Sequence, residues 1–358
     1  MNAWAIRWEG RPCPPPPGWF CCSHPFISVT LPLRVISRIN WTSASEFLLL
    51  GLSEKPVHQP LLFGLFLSMY LVTVTGNALI VLAITSDARL HTPMYFFFTN
   101  LSLTDIASIS ITVPKMLENI WTENQTISYI ECLTQLYFSI VFVTVDNFLL
   151  ATMAYDRYVA ICRPLHYTTA VSPGLCALLA AMSWGLTNLV ALVHVLLLAQ
   201  LQFCRGNTVP HFFCDMPLLL QLACSDTHLN QLLILVLGGS AILLPFGLIL
   251  ASYVHIIMAI FKIPAANGRW KAFSTCGSHL TVVILFYGTI VGVYFLPSST
   301  HFAGGDKVAA VMFIVVTPML NPFIYSLRNQ DIKRALGKLS FRRRPFSLVR
   351  KCCELSNC

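Results

Sequence analysis

Residues 61–85 read LLFGLFLSMYLVTVTGNALIVLAIT, an apolar run without a single charged side chain. About 20 such residues carry a helix across the ~30 Å hydrocarbon core of a bilayer. Six further stretches of the same kind follow at roughly 94–113, 133–155, 175–197, 232–257, 275–296 and 308–327. In hydrocarbon every backbone N–H and C=O must be bonded within its own segment, so runs of this length are read as helices; alternating segments of about ten residues, the mark of a membrane barrel, are not seen. The fold class expected is all-α, a bundle of seven transmembrane helices.

Composition agrees. Hydrophobic residues make up 56% of the 358 and charged residues 11%, with a mean hydropathy of +0.68, whereas an average soluble domain is roughly 25% charged. The net charge of +8 does not mark a nucleic-acid binder, because Lys and Arg fall between and after apolar runs without forming a basic face. They orient the chain instead. Arg89, Arg157, Arg163, Lys262, Arg269 and Lys271 fall in loops of one side, with Arg328, Lys333, Arg334 and Arg342 to Arg344 in the tail, so that side faces the cytoplasm. The opposite loops hold few basic residues (Lys115, Arg205, Lys307) and the glycosylation acceptor Asn124-Gln125-Thr126; Asn40-Trp41-Thr42 offers a second before the first span. The amino terminus is then outside. Arg7, Arg11, Arg34 and Arg38 pull the other way, but from a distance that reduces their weight.

Four segments follow: a disordered leader 1–39 with Pro14 to Pro17 and no signal-peptide core, an extracellular segment 40–60, the membrane domain 61–327 and a cytoplasmic tail 328–358. An odd number of spans and halves without mutual similarity count against an inverted-repeat transporter. The thirteen cysteines include no two CxxC pairs at zinc spacing, so no metal site is expected. His194, His255 and His279 lie on different spans with no nucleophile and orienting acid beside them, which argues against an enzyme.

A resemblance is carried by MAYDRYVAIC at 153–162, which is similar to the end of helix three in rhodopsin-like G-protein-coupled receptors and matches the odorant receptors, of the land-vertebrate class, letter for letter. The same family's other signatures stand in order: Gly76-Asn77, LHTPMYFF from Leu90, Ser252-Tyr253, KAFSTCGSHL from Lys271 and PMLNPFIYSLRN from Pro318. Together they cover about residues 40–339. The leader lies outside the pattern, and no methionine stands between Met1 and Met69; it is a gene-model artefact or a real extension.

The resemblance implies a receptor whose pocket binds a small volatile organic molecule and which acts through the heterotrimeric stimulatory olfactory G protein to raise cyclic AMP, at the plasma membrane of olfactory cilia. The implied switch and coupling residues are Asp156, Arg157, Tyr158, Tyr253, Lys271, His279, Asn321, Pro322 and Tyr325, with Lys271 and His279 near the surface where the G protein docks. Pro322 and Pro245 each remove a helix bond and permit a bend. Asp105 and Asp146 are carboxyls within the bilayer, costly unless paired or hydrated. Helical spacing sets them near Asn77 and Asn321, where the family holds a sodium ion or waters; a purely structural hydrogen-bonded knot is the equal alternative, and most odorant receptors carry Glu where Asp146 stands.

Two disulfides are implied by the resemblance, Cys132–Cys214 and Cys204–Cys224. His211-Phe212-Phe213-Cys214-Asp215 could be taken for a copper site, but a Cys214 held in a disulfide has no thiolate to offer. The implied pocket face carries Ser139, Ile140, Val143, Thr144, Leu237, Ala241, Tyr287, Ile290 and Tyr294: apolar with a few hydroxyls, and without the helix-three carboxylate of an amine receptor. Residues 328–339 read as an amphipathic helix lying on membrane lipid, and Cys352 and Cys353 as palmitoylated or unmodified thiols. Two other readings stand beside the odorant receptor: a rhodopsin-like receptor for a lipid or metabolite outside the olfactory system, and a small-solute transporter or channel.

Overall fold

The computed structural model describes residues 46–52, 58–204, 206–262, 266–294 and 305–342. The leader 1–39, Asn40, Cys352 and Cys353 lie outside them. Seven helices are long and apolar enough to cross a membrane: α1 (Gln59–Ser86), α2 (Pro93–Thr122), α3 (Tyr129–Cys162), α4 (Pro173–Leu198), α5 (His228–Phe261), α6 (Ala266–Tyr294) and α7 (residues 305–328). An eighth, α8 (Gln330–Arg342), follows α7.

Local sequence explains several ends. Pro60 and Pro93 open α1 and α2 where a missing N–H costs nothing. Ser128 and Glu131 form a reciprocal capping box at the start of α3, and Ser172 caps α4 through Leu175 N–H. The second span runs beyond its apolar stretch, through Pro114 to Thr122, and stops where Glu123 turns left-handed at φ 55°. Both α5 and α7 contain a π-helical turn, Ile234–Gly238 and Met312–Val316. Such turns insert a residue and rotate the side chains beyond them.

The helical expectation holds, with one addition at the outer end. Three short strands, β1 (Glu46–Leu49), β2 (Thr126–Ser128) and β3 (Thr208–Val209), form a sheet in the order β2-β1-β3. The amino-terminal strand is central: Phe47 pairs Ile127 in antiparallel register, and Leu49 pairs Val209 in parallel register. Phe47 and Leu49 are buried in an outer apolar cluster with Cys132, Cys214 and Met216. Lys307 Nζ donates to Gly51 O at 2.8 Å, tying this segment to α7.

The main core runs between the helices. Gly76 of α1 meets α7 so closely that a Cβ there would stand 3.2 Å from Pro322 Cγ. In α8, Ile332 and Ala335 are buried while Lys333, Arg334 and Lys338 are exposed. Lys338 and Arg89 both pair with Asp87 in the first cytoplasmic turn, at 3.0 and 2.7 Å, and these cations hold the Asp87 carboxyl well below the usual carboxylate range.

Candidate ligand cavity and cytoplasmic switch

A cavity of about 360 Å³ opens among α2, α3, α5, α6 and α7. Its walls are mostly apolar. Of the pocket residues expected from the sequence, Ser139, Ile140, Val143, Thr144, Ala241 and Ile290 line it, while Leu237 and Tyr287 do not. Leu237 sits in the π-helical turn of α5, which presents Ile234 and Gly238 to the cavity in its place, with Gly239 just beyond it. The side chain of Tyr294 lies outside the described residues.

Tyr287 instead closes a clasp beside the cavity. Its hydroxyl donates to Asn147 Oδ1 of α3, and Asn147 Nδ2 donates to Ala241 O of α5 at 2.6 Å. Asn147 is buried and lines the cavity, so one amide joins three helices next to the ligand volume. Sequence reasoning missed it; a second polar residue directly after Asp146, within an apolar span, was the available signal.

The floor is polar. Asn321 Nδ2 donates to both oxygens of Asp105 at 3.1 and 2.9 Å, and Thr104 Oγ1 donates to Asp146 Oδ1. Both carboxyls line the cavity. Asn77 does not hold them: its amide donates to Thr73 O and to Pro318 O at 3.3 Å, linking α1 to α7. Asn77 Oδ1 and Asn321 Oδ1 are buried and accept nothing among the described residues. The orphaned Asn321 oxygen, on the amide that holds the Asp105 carboxyl, fits a small cation or water.

The roof belongs to the long loop between α4 and α5. Disulfides Cys132–Cys214 and Cys204–Cys224 close with Cα separations of 5.6 and 5.8 Å. Cys214 N–H also donates to Gln135 Oε1 at 2.8 Å. Phe213, Cys214, Asp215 and Met216 line the upper cavity with His194 of α4. Among the described residues no group of three or more His, Cys, Asp or Glu side chains could hold a metal. Asn124 is exposed and its Oδ1 accepts from Thr126 N–H and Oγ1, at 3.1 and 3.0 Å.

At the cytoplasmic end Arg157 donates to Asp156 Oδ2 through Nε and Nη2, at 3.1 and 2.6 Å. The other Asp156 oxygen accepts from Tyr167 OH at 2.6 Å, and Asp156 is fully buried. Burial and this carboxylate both raise the Tyr167 phenol above its ordinary range. Tyr167, in the loop after α3, was not anticipated. Tyr158 packs against the His255 ring at 5.6 Å, with Arg163 over its face.

His279 is completely buried, so its side chain is not itself exposed to a docking partner, with Nδ1 bonded to Tyr253 OH at 2.7 Å and Nε2 to Leu150 O at 3.1 Å. A histidine on the inward face of α6 is consumed by tying α5, α6 and α3 together. Tyr325 is buried against Phe98 at a ring separation of 4.0 Å, and its hydroxyl has no partner among the described residues. Lys271 stands on α6, but its side chain lies outside the described residues.

A family model described as "Olfactory receptor" matches residues 66–343. The chain is 61% identical to Olfactory receptor 1N2 of Homo sapiens, covering 84% of this chain and 96% of that protein. It is 61% identical to Olfactory receptor 1S1 of Homo sapiens, covering 86% and 94%, and 59% identical to Olfactory receptor 1f45 of Rattus norvegicus, covering 87% and 99%. The chain belongs to the olfactory receptor family. As an olfactory receptor it is a multi-pass membrane protein that responds to odorants and acts through a G protein, and it is not an enzyme. The cavity of this olfactory receptor runs along α3 from Leu136 to Leu150, with the Asn147 clasp in its wall, and Arg157 stands near the inner end of the same helix, with the His279 clasp at Leu150 between them.

Proposed function

We propose that a small, weakly polar organic odorant occupies the cavity under the disulfide-tied loop and drives the stimulatory olfactory G protein, raising cyclic AMP at the plasma membrane of olfactory sensory cilia. The observation that carries this reading is the cavity itself, apolar along its walls and bordered by Asn147. Apolar walls stabilise an odorant by desolvation, at about 25 cal/mol per Å² removed from water, and Ser139 and Thr144 add hydroxyl partners.

An occupant touching Asn147 bears on Tyr287 of α6 and Ala241 of α5 through one amide. Below them, His279 fastens α6 to Tyr253 and Leu150. When α6 swings outward this second clasp opens, and Tyr253 becomes available to an Arg157 released from Asp156. Odorant and G protein favour the same arrangement, so each tightens the other's binding, by about 1–3 kcal/mol in ordinary allosteric linkage. Asp105, Asp146, Asn77 and Asn321 are the groups that would hold a sodium ion, whose charge would offset the two carboxylates.

The test is cyclic AMP accumulation in cells expressing the chain with the olfactory G protein, across an odorant panel, with surface expression measured in parallel. The expected result is an agonist whose response disappears in Arg157→Ala and needs about tenfold more odorant in Thr144→Ala. A response that survives Arg157→Ala would overturn this coupling mechanism, and a surface-expressed receptor silent to the whole panel would overturn the odorant–cyclic AMP reading.

A further inference from the structure

Asp215 is a carboxylate in the roof of the cavity that the switch described above does not use. It follows Cys214, which is covalently joined to the outer end of α3, and precedes the loop helix Met216–Leu222. Both neighbours are buried, so its position is fixed before any ligand arrives. Oδ1 accepts from Met216 N–H at 3.0 Å, and among the described residues Asp215 forms no ion pair. It lines the cavity together with its loop neighbours Phe213 and Met216, along walls that are mostly apolar.

The other titratable side chains lining the cavity are His194 of α4, Asp105 of α2 and Asp146 of α3, and His211 stands in the same loop. Both acids are engaged at the floor, with Asn321 and Thr104. Burial alone pushes the Asp215 carboxyl up to about 6, against the Met216 N–H, which acts in the opposite sense. At neutral pH the group is therefore mostly ionised, partly withdrawn from water and, among the described residues, without a cation.

We propose that Asp215 anchors the odorant and selects molecules carrying an N–H or O–H donor at one end, small amines above all. An ionised carboxylate only accepts hydrogen bonds. An ammonium brings both the donor and the missing charge, and an alcohol brings the donor. A ketone, ester or ether of the same size sets a lone pair against the carboxylate and leaves it unpaired, which is how buried polar groups reject an ill-matched ligand. The carboxylate at the roof is thus supplied from the loop, held by the Cys132–Cys214 bridge, while Asp146 of α3 is engaged with Thr104 at the floor.

This inference rests on the odorant reading, and its test separates the two. The probes are straight-chain primary amines, primary alcohols, methyl ketones and methyl ethers of about six to ten carbons, sized to a small-molecule cavity. Cyclic AMP concentration–response curves, normalised to surface receptor, are measured for the wild type, Asp215→Asn and Asp215→Glu. Asparagine caps a helix as well as aspartate does, so the loop helix is retained.

The wild type is expected to respond to amines and alcohols at concentrations about tenfold or more below those for ketones and ethers. Asp215→Asn is expected to erase the amine advantage and improve ketones, since its amide donates, whereas Asp215→Glu keeps the wild-type order. A wild type that does not rank donors first, or an Asp215→Asn receptor at the surface that still does, overturns the proposal; if Asp215→Asn fails to reach the surface, the wild-type order decides. Activation by ketones or ethers alone sinks it while leaving the odorant reading intact, and silence toward all four classes from surface receptor sinks both.

Discussion

The two ends of the bundle are held by different kinds of bond. The outer end is fastened by two disulfides, a three-stranded sheet and a capping box. The inner end depends on Asp156 shared between Arg157 and Tyr167, and on His279 shared between Tyr253 and Leu150. Covalent closure fixes the roof geometry against which a ligand is read. Hydrogen bonds of about 1 kcal/mol net each can exchange partners within the energy an odorant supplies. A receptor needs both, and the difference predicts that damage outside removes the molecule while damage inside changes its resting activity.

The largest expected effect is outside. Cys132→Ser with Cys214→Ser removes a bridge of the size that contributes about 2–4 kcal/mol, and surface receptor measured by flow cytometry should fall close to background. Surface levels near wild type would end the idea that the roof is what holds the outer half. Next is the pH response of the roof. Because burial raises Asp215 to about 6 from 3.8, its neutral form suits the folded state. Its contribution is full below about 4 and is lost as pH rises through about 6, a span of ~2–4 kcal/mol. Thermal unfolding of detergent-solubilised receptor should shift upward between pH 7 and pH 5, less so in Asp215→Asn, and an equal shift in both would reject the assignment.

Inside, Tyr167→Phe leaves one oxygen of the buried Asp156 without its donor, at about 1.5–3 kcal/mol for a bond to a charged group. Basal cyclic AMP should rise about tenfold with surface level unchanged, and a drop in basal signal would show that Tyr167 serves the active arrangement. His279→Phe keeps the ring but loses both bonds, and a several-fold rise in basal signal is expected from roughly 1–2 kcal/mol. The smallest effect is Gly76→Ala. A methyl 3.2 Å from Pro322 costs about 1–3 kcal/mol of overpacking, offset in part by up to ~1 kcal/mol of helix propensity, so melting should move down by only a few degrees.

What the sequence made legible was set by bilayer physics. Leu61 to Thr85 could hardly be anything but a span, and the pairing of Asp105 with Asn321 follows from the cost of a lone carboxyl in lipid. The strand at Phe47 was not readable, because its partners, Ile127 and Val209, belong to loops far along the chain. Leu237 was misplaced for a different reason: a π-helical turn rotates the wall by a residue, and no periodicity in an all-apolar stretch records it. Asn147 and Tyr167 were hidden because a polar residue does not announce its partner. The site at Asp215 was invisible until the disulfide folded its loop back over the cavity.

The central place of β1 has a consequence for biosynthesis. Its two neighbours come from segments made much later, β2 after the second span and β3 after the fourth. The chain emerging from the ribosome must therefore keep Glu46–Leu49 unpaired in the lumen until two helices have been threaded through the membrane, and paired on one edge only until four have. The amino-terminal strand thus works as a latch that shuts in two steps, and a misthreaded chain leaves it open for lumenal chaperones to find.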